Sequence, residues 1–359
     1  GGRVMKAWLL ALLVPLALAH ETLTTTVLFD REIVRILDKH CVMCHAQGGP
    51  SFPLETYEQA WVAGRKMRAS AIARHMPPWA AVPGYGQFSN DNNLTLRESQ
   101  FLVSWVEGLG PRNGGTVFTN IVDPDAPRKK DIQANADFGH WQLGEPSYKI
   151  DITSPLPQSA QVTRIAVATG LTAPRQIAAI EYMPGNRRAL HAAFFYVQET
   201  NQWIGSWTPW YGYQSAPKGV ASQLPANSHI VAELHYRPPV ANDAEKGTLG
   251  LKFAGTVSTS TSTSTSTITL ESRKPFRLTT ATSIAALRPE LPSDAATVEL
   301  SAHKPNGSVE ILLYLRNPSP DWPTPYVLKS PARLPAGTEL SFVVSGTNQP
   351  AKLTAIAYR

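Results

Sequence analysis

Two cysteines and a histidine near the N-terminal end constrain this chain more than any other feature. Cys41, Cys44 and His45 form a Cys-x-x-Cys-His sequence, and the chain has no further cysteine. The spacing is typical of covalent c-type haem attachment, in which both thiols bond the porphyrin and the histidine ligates the iron. A thioredoxin-type redox pair and half of a zinc site are the alternatives. A helical pattern precedes the motif and no second Cys-x-x-Cys exists, so we predict one covalent haem c.

The first 19 residues have the pattern of a secretory signal peptide. Arg3 and Lys6 supply positive charge, residues 8–18 are apolar, and residues 17–19 read Ala-Leu-Ala, a small-residue cleavage site. An uncleaved membrane anchor is the alternative. Cleavage predicts a periplasmic or otherwise extracytoplasmic protein of a bacterial envelope. No other stretch is apolar enough to span a membrane, so we expect no transmembrane segment after cleavage.

Charge bears on the partners that the chain can bind. The formal net charge is +6, and four basic residues cluster after the cysteine motif: Arg65, Lys66, Arg68 and Arg74. They form either a solvated helix face or a docking face for an acidic redox partner. No long tract alternates basic with aromatic residues, so nucleic acid is not expected. We expect a redox partner protein or an envelope electron-transfer complex.

Residues 20–110 are predicted to form a small all-α unit. Apolar residues recur at helical spacing over 29–39, 56–74 and 95–106. Thr95 and Glu98 have the spacing of a capping box at the start of the third helix. Three helices around one haem predict a class I-like cytochrome c domain.

A sixth ligand for the iron is expected downstream of the motif. Met76 is our choice, because it lies between a helix end and two prolines that stiffen its backbone. Met67 and His75 are the competitors, the first a helix-face methionine and the second a route to bis-histidine ligation. Ligation by His45 and Met76 would fill both axial positions and favour electron transfer.

The rest of the chain is predicted to be β-structure. Residues 111–137 lack periodicity and form a linker, after which short β-type runs alternate with Pro- and Gly-bearing turns. We expect an all-β antiparallel double sandwich, with one half at 138–257 and the other at 268–359. Between them, residues 258–267 alternate Ser and Thr without interruption. This low-complexity tract is either a flexible surface excursion or an edge between the two halves.

Several segments carry a resemblance to a known bacterial arrangement. They are residues 41–45, 76–79, 96–105, 141–146, 183–191 and 224–236. With these segments in this order, the chain resembles an exported cytochrome c domain fused to a copper type II, ascorbate-dependent monooxygenase-like module. That module is similar to the core of the peptidylglycine α-hydroxylating and dopamine β-monooxygenases. The resemblance implies a monooxygenase-like double sandwich with two copper sites.

Most copper ligands of that family are missing. The resemblance implies one copper held by three histidines and another held by two histidines and a methionine. His191 and His235 match two of the first three ligands. His303 lies between the positions of the second site, and no methionine follows Met183. Copper(II) prefers several nitrogen donors, so weakly held copper at His191 and His235 is the lesser expectation and ordinary strand histidines are the main one.

Three functions follow from these patterns. The leading hypothesis is an exported cytochrome that carries single electrons through its haem, with the degenerate β module as a docking or assembly scaffold. One alternative is a copper- and oxygen-dependent monooxygenase fed by the haem. Another is a structural subunit of a larger respiratory or photosynthetic complex, with the aromatic run at 203–213 as its interface. An electron-transfer role is favoured over an enzymatic one.

Overall fold

The structure is a computed structural model that describes most of the chain. It covers residues 25–47, 51–113, 140–155, 162–187, 189–236, 244–254 and 263–359. The predicted signal peptide lies outside the described residues, as does most of the predicted linker. In the described part the chain is mainly β-sheet with three short α-helices.

The helices lie where the sequence pattern predicts them. A π-helical turn at Phe29–Ile33 leads into α1 (Val34–His40), followed by α2 (Tyr57–Ala73) and α3 (Leu96–Glu107). Both longer helices begin with a capping box. In α2 the hydroxyl of Thr56 accepts from the amide of Gln59, whose side chain accepts from the amide of Thr56. Thr95 and Glu98 make the same pair of hydrogen bonds at the start of α3. Arg74 adopts a left-handed φ of 55° and ends α2.

The helices share a small apolar core. Phe29, Ile33, Leu37 and Trp105 are almost fully buried in it. The ring of Phe29 meets the ring of Tyr57 edge to face, with centroids 5.4 Å apart. This core fixes the direction of α1, and with it the position of the residues that follow α1.

Ten strands of the first sandwich lie within the described residues. They are β1 (Tyr148–Pro155), β2 (Val162–Ala168), β3 (Arg175–Met183), β4 (Leu190–Val197), β5 (Gln202–Trp207), β6 (Tyr213–Ser215), β7 (Val220–Leu224), β8 (His229–Tyr236), β9 (Ala244–Phe253) and β10 (Thr263–Ser264). One sheet has the order β1-β9-β3-β7-β10, with β6 also paired to β3, and the facing sheet has the order β2-β8-β4-β5.

The second sandwich contains eight strands. They are β11 (Ser266–Glu271), β12 (Phe276–Arg277), β13 (Thr282–Glu290), β14 (Thr297–His303), β15 (Val309–Arg316), β16 (Tyr326–Leu334), β17 (Glu339–Ser345) and β18 (Lys352–Tyr358). Its two sheets have the orders β11-β18-β13-β16 and β12-β17-β14-β15. The described end of the Ser/Thr tract forms strands at an edge of each sandwich, and Thr265 between them is buried.

The two sandwiches pack against each other through β4. Its residues are buried on both faces, as expected of a strand between two apolar layers. Ala193 and Phe195 face the first core, whereas Ala192 and Phe194 contact residues of the second sandwich. Trp203 lies in this interface and Trp207 in the first core. Trp203 and Trp207 of the aromatic run are therefore internal and do not form part of an external interface.

The segment after α2 belongs to the second sandwich. Trp79 and Phe88 are buried in its core, where both rings contact Tyr326. Residues Ala81 and Phe88 form β-bridges with Leu315 and Leu328. The helices are thus tied to strands more than 200 residues away in sequence.

This arrangement corrects the predicted fold class. A separate small all-α class I-like cytochrome c domain is not seen in the described residues, and that part of the prediction is wrong. The physical reason is the segment at 79–90, which leaves the helices and completes the second sandwich. The β-rich part fits the predicted sandwich architecture.

Candidate functional site

The backbone after α1 brings two sulfur atoms and one imidazole onto a single turn. The amides of Cys41 and Val42 both donate to the carbonyl of Leu37, at 2.8 Å. The amides of Cys44 and His45 then donate to the carbonyl of Cys41, at 3.0 and 2.8 Å. Neither cysteine is in a disulfide. We call residues 41–45 the cysteine turn.

The imidazole of His45 has a defined tautomer. Its Nδ1 lies 2.8 Å from the carbonyl oxygen of Phe52, and the two rings meet edge to face at 4.7 Å. A carbonyl can only accept, so Nδ1 carries a proton, and in the neutral imidazole Nε2 is then the acceptor. The cysteine turn therefore carries an imidazole held in a fixed orientation.

The buried side chain of His40 holds the residue before the cysteine turn in place. The Nδ1 of His40 lies 3.2 Å from the side-chain oxygen of Asn92, and its Nε2 lies 3.3 Å from Glu98. Lys39 donates to the same carboxylate at 3.0 Å. Burial alone would raise the pKa of Glu98, but hydrogen bonds from Thr95 and Lys39, with His40, lower that pKa to about 2. This network joins the end of α1 to the start of α3.

The thiol of Cys41 resists ionisation. Burial, with the neighbouring Cys44, raises the pKa of Cys41 to about 12. Burial also lowers the pKa of Arg187, which the nearby Cys44 partly opposes. Arg187 precedes β4, so the cysteine turn lies close to the first sandwich.

A cavity of about 670 Å³ separates the helical unit from both sandwiches. Its walls come from the segment after α2, from β4 and β8, and from the loop before β16. Met76, His191 and His235 line it together with His75 and Trp322. The cysteine turn does not contribute to this lining. Of the predicted axial pair, Met76 lines this cavity and His45 belongs to the cysteine turn.

His191 is fixed by the second sandwich. Its Nδ1 lies 2.8 Å from the carbonyl oxygen of Asp321. Its ring stacks on Trp322, with centroids 4.0 Å apart and planes 12° from parallel. The strands β4 and β8 are paired so that Ala192 is opposite His235. The two candidate copper ligands thus share one wall of the cavity.

His235 belongs to a buried charge network. Its Nε2 lies 2.7 Å from Glu233, which also accepts from Arg164 at 2.6 Å and from Arg288. Burial alone would raise the pKa of Glu233, but His235 and Arg164 outweigh it and lower that pKa. Burial lowers the pKa of Arg288 to about 10. The Arg288 guanidinium lies 3.7 Å from the ring centroid of Phe194.

The donor arrangement contradicts the predicted cofactors. Within the ranges that the structure describes, no three His, Cys, Asp or Glu side chains come together so that they could hold a metal ion. His191 and His235 are engaged by Asp321 and Glu233. The prediction of a covalent haem c is therefore wrong, and the lesser expectation of weakly held copper at His191 and His235 gains no support.

Two further histidines, His229 and His303, have local partners. His229 lies 3.0 Å from Glu199 at the surface, and His303 lies 3.2 Å from the hydroxyl of Ser301. Sequence reasoning missed Glu233 and Arg288. A signal was present, since each is a charged residue within an otherwise apolar strand sequence, where charge is rarely buried unless it is paired.

Comparisons with known proteins add little. No known protein family matches the sequence, and no curated protein matches it either. The major capsid protein P2 from Bacteriophage PM2 is similar with a TM-score of 0.26 and 8% identity, over 58% of this chain and 97% of that chain. Oxalate decarboxylase from Bacillus subtilis has a TM-score of 0.19 and 6% identity, over 64% and 82% of the two chains. Such scores support no conclusion about fold or function.

The expected family relationship is also corrected. A cytochrome c domain fused to a copper monooxygenase-like module finds no support in these comparisons or in the mainly β-sheet structure. That resemblance is therefore wrong. In the part of the chain that the structure describes, no helix is both long and apolar enough to cross a membrane.

Proposed function

We propose that the protein is an exported electron-transfer protein whose redox-active residues lie on the cysteine turn. The observation that supports this proposal is the run of backbone hydrogen bonds that places Cys41, Cys44 and His45 on one turn, with the His45 imidazole held by the carbonyl oxygen of Phe52. The β-sandwich pair serves as the docking or assembly scaffold for this redox site.

The two sulfurs can form a redox couple by themselves. Both S–H bonds break, an S–S bond forms, and two electrons and two protons pass to an oxidised partner protein. Burial, with the neighbouring Cys44, raises the pKa of the Cys41 thiol, so the couple starts from the protonated dithiol.

Intact mass spectrometry of the full chain tests this couple. After oxidation we expect a mass about 2 Da lower, loss of alkylation at Cys41 and Cys44, and recovery of both on reduction. Full alkylation of Cys41 and Cys44 both after oxidation and after reduction would contradict the proposal. A heavier mass, from a group attached through both sulfurs, would contradict the dithiol couple.

The outer face of α2 is suited to dock the partner. Trp61, Val62 and Ile72 are 57%, 79% and 55% exposed there, next to the cations of Arg65 and Lys66. Arg68 is paired with Glu107, so it adds less to the free positive charge. We infer a partner with an acidic rim around an apolar patch.

This face is connected to the cysteine turn by direct contacts. The ammonium of Lys66 lies 5.8 Å from the ring centroid of Phe52. Phe52 in turn contacts His45 through its ring and its carbonyl oxygen. A partner seated on this face would therefore lie within two residues of the redox site.

Electron-transfer rates test the docking face. With an acidic redox protein as acceptor, R65E/K66E should lower the second-order rate roughly tenfold at low ionic strength, because steering by charge is lost. The matched control is R175E/K218E, at two exposed cations of the first sandwich, which removes the same charge. The difference should shrink at high salt. Equal rates for both variants at low salt would contradict this docking face.

A further inference from the structure

The 670 Å³ cavity has the size of a binding site for a small organic molecule. It lies where three parts of the fold meet: the segment after α2, the sheet containing β4 and β8, and the loop before β16. Such junctions are frequent positions of ligand sites. The lining of this cavity includes no residue of the cysteine turn, so ligand binding here is independent of the redox role.

One side of the cavity is flat and aromatic. His191 and Trp322 stack at 4.0 Å with nearly parallel planes. Trp79 and Tyr326 are buried nearby, with ring centroids 5.0 Å apart, and Met76 lines the same space. Planar rings and a polarisable thioether favour a flat, unsaturated ligand over a bulky aliphatic one.

The charged and imidazole side chains of the lining are mostly basic, and they lie among neutral polar groups such as Asn317, Ser319 and Thr324. Arg74 and His75 lie exposed at its rim, and His191 and His235 lie deeper. The acidic side chain of the lining is that of Asp321, which is exposed. Asp321 contacts His191 through its backbone carbonyl oxygen and not through its carboxylate. Glu233, behind His235, is already matched by Arg164 and Arg288. This balance favours an anionic ligand, which Arg74 can bind by paired hydrogen bonds.

We propose that the cavity binds a small planar aromatic carboxylate. Its ring would lie among Trp79, Met76 and the His191–Trp322 stack, and its carboxylate would face Arg74 and His75. The cavity then adds a ligand-binding function to the chain.

Calorimetric titration of the full chain with three small probes tests both halves of this assignment. Benzoate should bind saturably at one site. Benzyl alcohol, which keeps the ring but lacks the charge, should bind about tenfold more weakly. Cyclohexanecarboxylate, which keeps the charge but lacks the planar ring, should also bind several-fold more weakly. No saturable binding of benzoate, or equal affinity for all three probes, would overturn the proposal.

Two arginine variants locate the site. R74Q should weaken benzoate binding about tenfold, whereas R97Q, at an exposed arginine on α3 outside the cavity lining, should leave it unchanged. Equal effects of both substitutions would overturn the assignment. The variant C41S/C44S should bind benzoate as the unchanged protein does, so a failure of the redox proposal can be distinguished from a failure of this one.

Discussion

Arg288 on β13 donates to the carboxylate of Glu233 on β8, and this ion pair joins the second sandwich to the first. The side chains are 5% and 2% exposed. Arg164 and His235 complete the contacts of the carboxylate. The pair holds β8 in place, and with it one wall of the central cavity.

Removing the cation should be costly because it leaves the buried carboxylate short of a partner. We expect R288M to lower the free energy of unfolding by about 3–5 kcal/mol. The double variant E233Q/R288M should lose less than the sum of the two single variants, since no unpaired charge remains.

Urea unfolding measures these differences, and Arg164 supplies the control. Its side chain is 67% exposed although it contacts the same carboxylate. R164M should therefore cost no more than about 1 kcal/mol. Equal losses for R288M and R164M would show that the buried pair does not join the sandwiches as described.

Trp79 tests whether the segment after α2 is part of the second sandwich. Its ring is buried against Phe88 and Tyr326. W79A should lower the free energy of unfolding by about 3–5 kcal/mol through lost contacts and a cavity.

The matched control is W61A on the same helical unit. Trp61 is largely exposed on α2, so its loss should change stability by no more than about 0.5 kcal/mol. Both values come from urea unfolding. Similar effects of the two substitutions would mean that the segment is not anchored in the sandwich core.

Glu98 makes stability depend on pH in the acid range. Its pKa is lowered from 4.5 to about 2 in the folded chain. A carboxyl whose folded pKa is depressed stabilises the fold above the unfolded pKa, and that contribution is lost as the pH falls from 4.5 towards 2. E98Q keeps a residue suited to the capping box but cannot ionise.

The test is the difference in free energy of unfolding between the unchanged protein and E98Q. We expect this difference to be constant above about pH 5 and to decrease steadily below pH 4.5. A difference that does not vary with pH would contradict the role assigned to the His40–Glu98 network.

Local features of the fold were accessible to sequence reasoning. The three helices lie near the predicted positions, and the capping box of Thr95 and Glu98 is confirmed. These features depend on residues a few positions apart. The antiparallel β architecture also followed from short runs separated by turns.

Long-range placement was not accessible. Nothing near Trp79 in sequence indicates that its ring packs on Tyr326, and the Glu233–Arg288 pair spans 55 positions. The same limit explains the cofactor prediction. The spacing of Cys41, Cys44 and His45 is local, but the position of Met76 relative to them depends on how distant segments pack.

The most direct test of the electron-transfer proposal is a mediated redox titration of the full chain beside C41S/C44S. We expect the unchanged protein to take up and release electrons reversibly, and the double variant to take up none. A chain that takes up no electrons, or a double variant that titrates like the unchanged protein, would contradict the assignment of the redox site to the cysteine turn.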